Sequence, residues 1–309
     1  MSTDLRDDGD FIDPTYCYRS LTAAIDDLRS PLRRYLSATF PHTRPSTTAY
    51  RKASGPLLVP GNAANPGTVG TAFDYLARLT LRPGEGLAPA YAGVQGLPGA
   101  VATLDDVVAR GTLAQQQGEP PSEALARACW ALALCTEIYR SGPLPGHPVV
   151  ALVQSGRFTA DTLLELAPAD AIAQLIELQA AAQVGLYPHL LGSDQSLFLG
   201  PLFAGSGLCP ADADLIAAGM LIELKVQLGS LLKAGRADAL SLNQVYQLLS
   251  YVLFDRADDF AIDAVGFYSA RYGSFTRWEL GQLMTELAGR PVDLARERVR
   301  VWRILGGTL

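Results

Sequence analysis

Hydrophobic residues recur along this chain in two rhythms, and the change from one to the other divides it. Up to about Tyr187 the apolar positions mostly return every three or four residues, the spacing of helices with one buried face. Leu21 to Phe40 keeps that period, with Pro31 splitting it into two helices, because proline brings no N–H to a helix interior. Pro41 to Pro66 breaks it: five prolines, with Gly55 and Gly61, predict an extended, loop-rich arm. Thr68 to Leu79 predicts a helix with Phe73, Leu76 and Leu79 inward. Residues 84–100 are irregular. From Thr103 to Tyr187 the pattern is almost wholly helical, with a long Ala-rich helix capped by Ser122 and running to Tyr139, and further starts near Thr159 and Pro168. The polar, acidic residues 1–20 predict a loosely ordered lead-in. No repeat of fixed period is present.

From Leu197 the texture is that of strands: Leu197 to Phe203, a hairpin over 212–225, and Ala261 to Arg271. Between the last two, Asn243 to Val252 predicts a helix. Its apolar face is Val245, Leu248, Leu249 and Val252, and Gln244, Gln247 and Tyr251 share another face. Tyr272 to Phe275 predicts a turn towards Trp278. Helices then cover Glu279–Ala288 and Val292–Leu305. Strands bracketed by helices make an α/β protein.

The hairpin carries the candidate chemistry. With Ala218-Gly219 as its turn, Asp214 lies opposite Glu223 and Asp212 opposite Lys225. Alternation puts these four on one face and Leu215, Ile222 and Leu224 on the other. Directly opposed side chains have Cβ atoms about 5 Å apart. Two carboxylates that close repel by about 4 kcal/mol at an effective dielectric near 20. A shared proton or a bound cation relieves that repulsion. The alternative is a surface hairpin with a solvated polar face. Against it stands the scarcity of lysine: Lys52, Lys225 and Lys233 are the only three, beside 22 arginines.

Composition narrows the class. Hydrophobic residues make up 49% and charged ones 18%, enough for a sizeable core. The longest uncharged apolar run, Leu215 to Ile222, cannot span a bilayer, and the acidic N-terminus is unlike a signal peptide. Four cysteines without a Cys-x-x-Cys pair suggest neither zinc nor a disulfide framework, and reduced thiols fit a cytoplasmic protein. His42, His147 and His189 sit in separate Pro-rich loops. There is no Ser-His-Asp context and no Gly-x-x-x-x-Gly-Lys phosphate loop. The net charge of −6 is unevenly spread. No acidic residue lies between Asp27 and Asp74, where Arg29, Arg33, Arg34, Arg44, Arg51 and Lys52 fall, and Arg296, Arg298, Arg300 and Arg303 cluster near the end. Such clusters suit phosphate contact or an ordinary solvated face.

Asp214, then Glu223-Leu224-Lys225, then Gln247-Leu248-Leu249-Ser250-Tyr251 resembles the RecB-like branch of the PD-(D/E)XK nuclease superfamily. The resemblance implies a restriction-endonuclease-like core (helix, three strands, helix, strand) with a large helical insertion. Residues 1–67 become a basic arm with helices, 68–82 the first core helix, 83–195 the insertion, and 196–309 the core sheet with C-terminal helices, all one composite domain. It also implies metal-dependent DNA hydrolysis. Asp214, Glu223 and the Leu224 carbonyl would bind the ion, with Asp74, four residues after Gly70, where the family more often has His. Oxygen donors favour Mg²⁺ or Mn²⁺. Lys225 would act on the attacking water, oriented by Gln247 and Tyr251, with Asp212 as a salt-bridge partner or a supporting group behind the ligands. The clustered cysteines of the iron–sulfur members are missing here. A helicase or other complex subunit is an expected partner, alongside DNA. Two other readings stay open: a catalytically silent scaffold of this fold, and a helical protein–protein interaction module.

Overall fold

The computed structural model describes residues 11–117, 122–190, 196–233 and 235–308, so the acidic start of the lead-in lies outside it. Two short helices open the chain, α1 (Leu21–Asp26) and α2 (Pro31–Thr39). Ser20 and Ser30 cap them through their hydroxyls, and Pro31 stands in the first turn of α2, where its missing N–H costs nothing. The expected loop-rich arm contains a third helix, α3 (Arg44–Ala53). Pro45 begins this helix rather than preventing it, for the same reason. Then come α4 (Pro66–Leu81), α5 (Ala88–Gly93), α6 (Ala100–Gln116), α7 (Glu123–Ser141), α8 (Pro148–Gln154), α9 (Ala160–Glu165) and α10 (Ala169–Gly185). Asn65 caps α4, and Thr159 with Thr162 forms a capping box on α9. Ser122 does not cap α7: its hydroxyl is buried and makes no hydrogen bond.

The strand region holds β1 (Leu197–Leu199), β2 (Leu215–Ala217), β3 (Met220–Lys225), β4 (Ser230–Leu232), β5 (Gly235–Ala237), helix α11 (Leu242–Phe254), β6 (Ala264–Ser269) and β7 (Ser274–Glu279). Helices α12 (Leu280–Ala288) and α13 (Leu294–Ile304) follow. Five strands form one mixed sheet in the order β1-β2-β3-β6-β7. Its first three strands are an antiparallel meander. α11 then carries the chain across to β6, which lies parallel to β3. Ser274–Glu279 is an edge strand antiparallel to β6, where the sequence pattern predicts only a turn. β4 and β5 form a separate two-stranded hairpin that the apolar pattern does not predict.

Alternation along the sheet separates two cores. Met220, Ile222, Leu224, Ala264 and Tyr268 pack with α4, α7 and α10. Ile216, Leu221, Val265 and Phe267 pack on the other face with α1, α2, α11, α12 and α13. The protein is therefore a mixed α/β structure with helices on both faces of the sheet. Among the described residues no helix is long and apolar enough to cross a membrane. All four cysteines are unpaired: Cys17 is exposed, and Cys129, Cys135 and Cys209 are buried.

Candidate active site

Ala218 and Gly219 both have positive φ, +48° and +78°, as a two-residue hairpin turn between twisted strands requires. The resulting register pairs Leu215 with Ile222 and Ala217 with Met220, as the sequence predicts. Beyond Leu215 the chain leaves β3. The Asp214 carbonyl accepts from Gly200 N at 2.9 Å and Ala213 N donates to the Pro201 carbonyl at 3.2 Å, so residues 213–214 follow the line of β1. Asp212 consequently makes no bond to Lys225. That expectation is corrected: the carboxylate partner of Lys225 is Glu223, with Nζ 2.9 Å from Oε2.

Leu224 N donates to Asp214 Oδ2 at 2.6 Å, which ties the acid to the strand it has left. A residue in a strand directs its N–H and C=O to the same side. The Lys225 carbonyl accepts from Ala270 N, beyond β6, whereas Leu224 N faces Asp214. The Leu224 carbonyl therefore faces the Asp214 side as well.

Glu223 and Lys225 point to the α11 face. Glu223 is only 2% exposed. Lys225 Nζ also donates to Gln247 Oε1 at 3.2 Å, and Gln247 Nε2 donates to the Tyr251 hydroxyl at 2.8 Å. One turn of α11 thus positions both groups, four residues apart, and Lys225 lies over the Phe267 ring. A capping box at Ser241 and Gln244 fixes where this helix begins. On the other side of Lys225, the buried Arg271 guanidinium donates to the carbonyls of Val226, Val59 and Pro60, and to Gln174. It pins the strand where it exits the site.

Charge is concentrated here. Burial and the neighbouring Glu223 push Asp214 up to about 8, against the pull of Lys225. Burial works against the Lys225 ammonium, but Glu223 and Asp214 outweigh it and raise its pKa. Tyr251 is pushed well up by burial and by the same carboxylates.

Asp74 comes from α4, beneath the opposite face of the sheet. Burial, with Asp214 and Asp212 nearby, raises it to about 7 despite the opposing pull of Arg78. Its oxygens are engaged by Arg78 at 2.8 and 2.7 Å, and Arg78 also holds the Gly86 carbonyl at 2.7 Å. Asp74 is thus within electrostatic reach of Asp214 but is turned to its own counter-ion. Among the described residues no three His, Cys, Asp or Glu side chains are grouped so as to hold a metal ion by themselves. The sequence motifs do not single out Arg78, although its place one turn after Asp74 is the spacing of a helical ion pair. As a donor set, the buried Glu223, the half-buried Asp214 beside it and a backbone carbonyl are all oxygen, which fits a hard divalent cation.

The basic residues divide. Arg29 is exposed and paired with Asp27 at 3.2 Å, and Arg34 is exposed beside the Phe11 ring. Arg44, Arg51 and Lys52 are exposed on α3, where Arg44 and Lys52 flank a shallow hollow of about 560 Å³ with His42 and Thr48. Arg33 is a correction. It is 8% exposed, donates to the Ile25 carbonyl at 3.0 Å and to Asn243 at 2.5 Å, and stacks on Tyr246, so it serves the core and not a phosphate. In the C-terminal cluster Arg298 is likewise buried, bound to Asp255, Asp258 and the Val252 carbonyl. No protein-family profile, curated protein or solved structure matches the chain.

Proposed function

We propose that this protein is a metal-dependent nuclease that hydrolyses DNA phosphodiester bonds, in DNA repair or in defence against foreign DNA. The observation that carries the reading is the contact set at the end of β3. There Lys225 Nζ binds both Glu223 and Gln247 on one face of the sheet, with Asp214 held against Leu224 N. A restriction-endonuclease-like core is supported by the element order α4, β1 to β3, α11, β6, with α5 to α10 set between the first helix and the sheet.

In this reading Asp214, Glu223 and the Leu224 carbonyl hold the ion, with Asp74 as a further ligand from α4. Mg²⁺ or Mn²⁺, when bound, supplies Lewis acidity and charge neutralisation at the phosphate. Lys225 orients the attacking water through Nζ and stabilises charge developing on the phosphate oxygens. Gln247 fixes the ammonium, and Tyr251 fixes Gln247. Exposed Arg29, Arg34, Arg44, Arg51 and Lys52 contact the backbone of the substrate. The four free thiols go with a reducing, cytoplasmic setting. A helicase or another complex subunit would supply strand separation, for which the chain has no phosphate-binding loop of its own.

The Asp74–Arg78 pair favours a second reading, in which the scaffold binds nucleic acid without cutting it. Incubating the purified chain with linear, circular and single-stranded DNA, and with RNA, with and without Mg²⁺ or Mn²⁺, separates the two. Metal-dependent cleavage that disappears in Glu223→Gln supports the nuclease. Binding with no cleavage under any metal supports the silent scaffold. Neither binding nor cleavage overturns both and leaves a helical protein–protein interaction module.

A further inference from the structure

The β4–β5 hairpin belongs to neither core. Among the described residues it pairs with no third strand, and its strands are exposed almost throughout. Leu231 is 73% exposed and Leu232 is 49% exposed. A two-stranded hairpin alone in water is marginally stable, and two adjacent leucines facing solvent give it nothing to pack on. Its stem is nevertheless firmly built. Gly229, at φ +67°, lies so close against the Ala237 carbonyl that no side chain fits there. Asp238, 1% exposed, accepts from Ser54 Oγ and from Ala239 N, both at 2.9 Å, and Tyr272 donates to the Leu228 carbonyl at 2.9 Å. A rigid stem thus presents an unpartnered apolar tip.

Charge and position identify what the tip meets. Residues 229–237 contain Lys233 and Arg236 and no acid, within a chain whose net charge is −6. Leu231 pairs with Arg236 across the hairpin, so an apolar and a cationic side chain share one face. The stem leaves β3 directly after Lys225. Six residues of extended chain set Leu231 at most about 20 Å from that lysine. Through the Ser54–Asp238 bond the stem is also fastened to the end of α3, which bears exposed Arg51 and Lys52.

We infer that the β4–β5 hairpin is a nucleic-acid wedge: it enters a junction of paired and unpaired strands with Leu231 and Leu232 presented to the bases on its two faces, while Lys233 and Arg236 hold the flanking phosphates. Apolar side chains inserted at a base step unstack it, and the cations keep the backbone in place. The inference rests on the nucleic-acid part of the function proposed above, and not on the cleavage step.

The test uses the full chain in Ca²⁺ with a tailed duplex carrying 2-aminopurine at the junction, whose fluorescence rises on unstacking. Wild type should raise it. Leu231→Ser with Leu232→Ser should abolish the rise and weaken binding about tenfold, the scale of one lost base contact. Lys233→Gln with Arg236→Gln should lower the slope of log affinity against log salt by about 2. Both pairs of sites are exposed, so circular-dichroism melts should match wild type. Cleavage and fluorescence retained by the leucine variant, with an unchanged salt slope in the other, overturn the wedge and leave the nuclease standing. A wild-type fluorescence rise without metal-dependent cleavage keeps the wedge and removes the nuclease. Leucine-dependent binding to phosphatidylserine vesicles, with DNA binding unchanged between variants, also overturns it.

Discussion

Lys225 is the residue on which structure and chemistry make competing demands. Its ammonium is the cation closest to Glu223, which is almost fully buried, and Asp214 stands beside that pair. With Asp212 as its partner, Lys225→Ala would leave stability nearly unchanged. With Glu223 as its partner, the same change strands a buried charge. The metal-free variant should lose about 3 kcal/mol, regain part of it in Ca²⁺, and cut DNA roughly 10² to 10³ times more slowly. Thermal melts in EDTA and in Ca²⁺, beside single-turnover cleavage, measure all three effects. The carboxylates also set a pH dependence. Asp214 and Asp74 are raised from 3.8 to about 8 and about 7, so in that interval the folded protein binds protons that the unfolded chain has released. Their contribution is complete below about pH 4 and is lost as pH rises through the folded values. Metal-free wild type should therefore lose stability between about pH 4 and about pH 8, and Asp214→Asn, which keeps an acceptor for Leu224 N, should lose less. Urea melts at the two pH values decide it.

At the scale of elements, close backbone contact decides which substitutions the helical layer tolerates. Gly93, at the end of α5, lies against the Cys135 carbonyl of α7, and a side-chain carbon there would collide with it. Gly93→Ala should destabilise by about 1–3 kcal/mol, since neither helix backbone can give way freely. A shifted urea midpoint with an unchanged slope would show it. Elements are legible in the sequence where a local signal fixes them. The Ala218-Gly219 turn and the period of two suffice to pair Leu215 with Ile222 and to put Glu223 and Lys225 on one face, whereas Asp214 is held by its bond to Leu224 N after leaving the strand. The period of Val245, Leu248, Leu249 and Val252 marks the buried face of α11. Other elements have no such signal. α3 is hidden because Pro45 reads as a breaker until its place in the first turn is known. β7 is a half-exposed edge strand whose Thr276, Arg277 and Glu279 interrupt any apolar alternation, and β4–β5 buries almost nothing. The approach of Asp74 to Asp214 depends on how α4 packs under a distant hairpin, and no local pattern encodes that.

Over the whole molecule, counting charges along the chain overstates the surface available to a polyanion. Arg33 and Arg298 contribute to the basic clusters in sequence, yet both are spent inside the second core. Arg33→Gln should therefore lower the melting temperature and leave the salt dependence of DNA binding alone. Arg44→Gln with Lys52→Gln should do the reverse, lowering that slope by about 2. Fluorescence anisotropy across a salt series, with melts on the same samples, compares them. The second core is also assembled from the two ends of the chain. Tyr35 donates to Glu297 at 2.6 Å, Leu21 N to the Pro210 carbonyl and His42 N to the Leu287 carbonyl. During synthesis, Leu32, Tyr35, Leu36 and Phe40 emerge with only α1 beside them, well before the rest of their core. At about 5–20 residues per second they wait some tens of seconds for α11 and α13. A nascent chain halted before α13 would expose that apolar stripe to chaperones and to other nascent chains. Helix α1 can be covered once α11 has been made, whereas α2 waits for α13 as well.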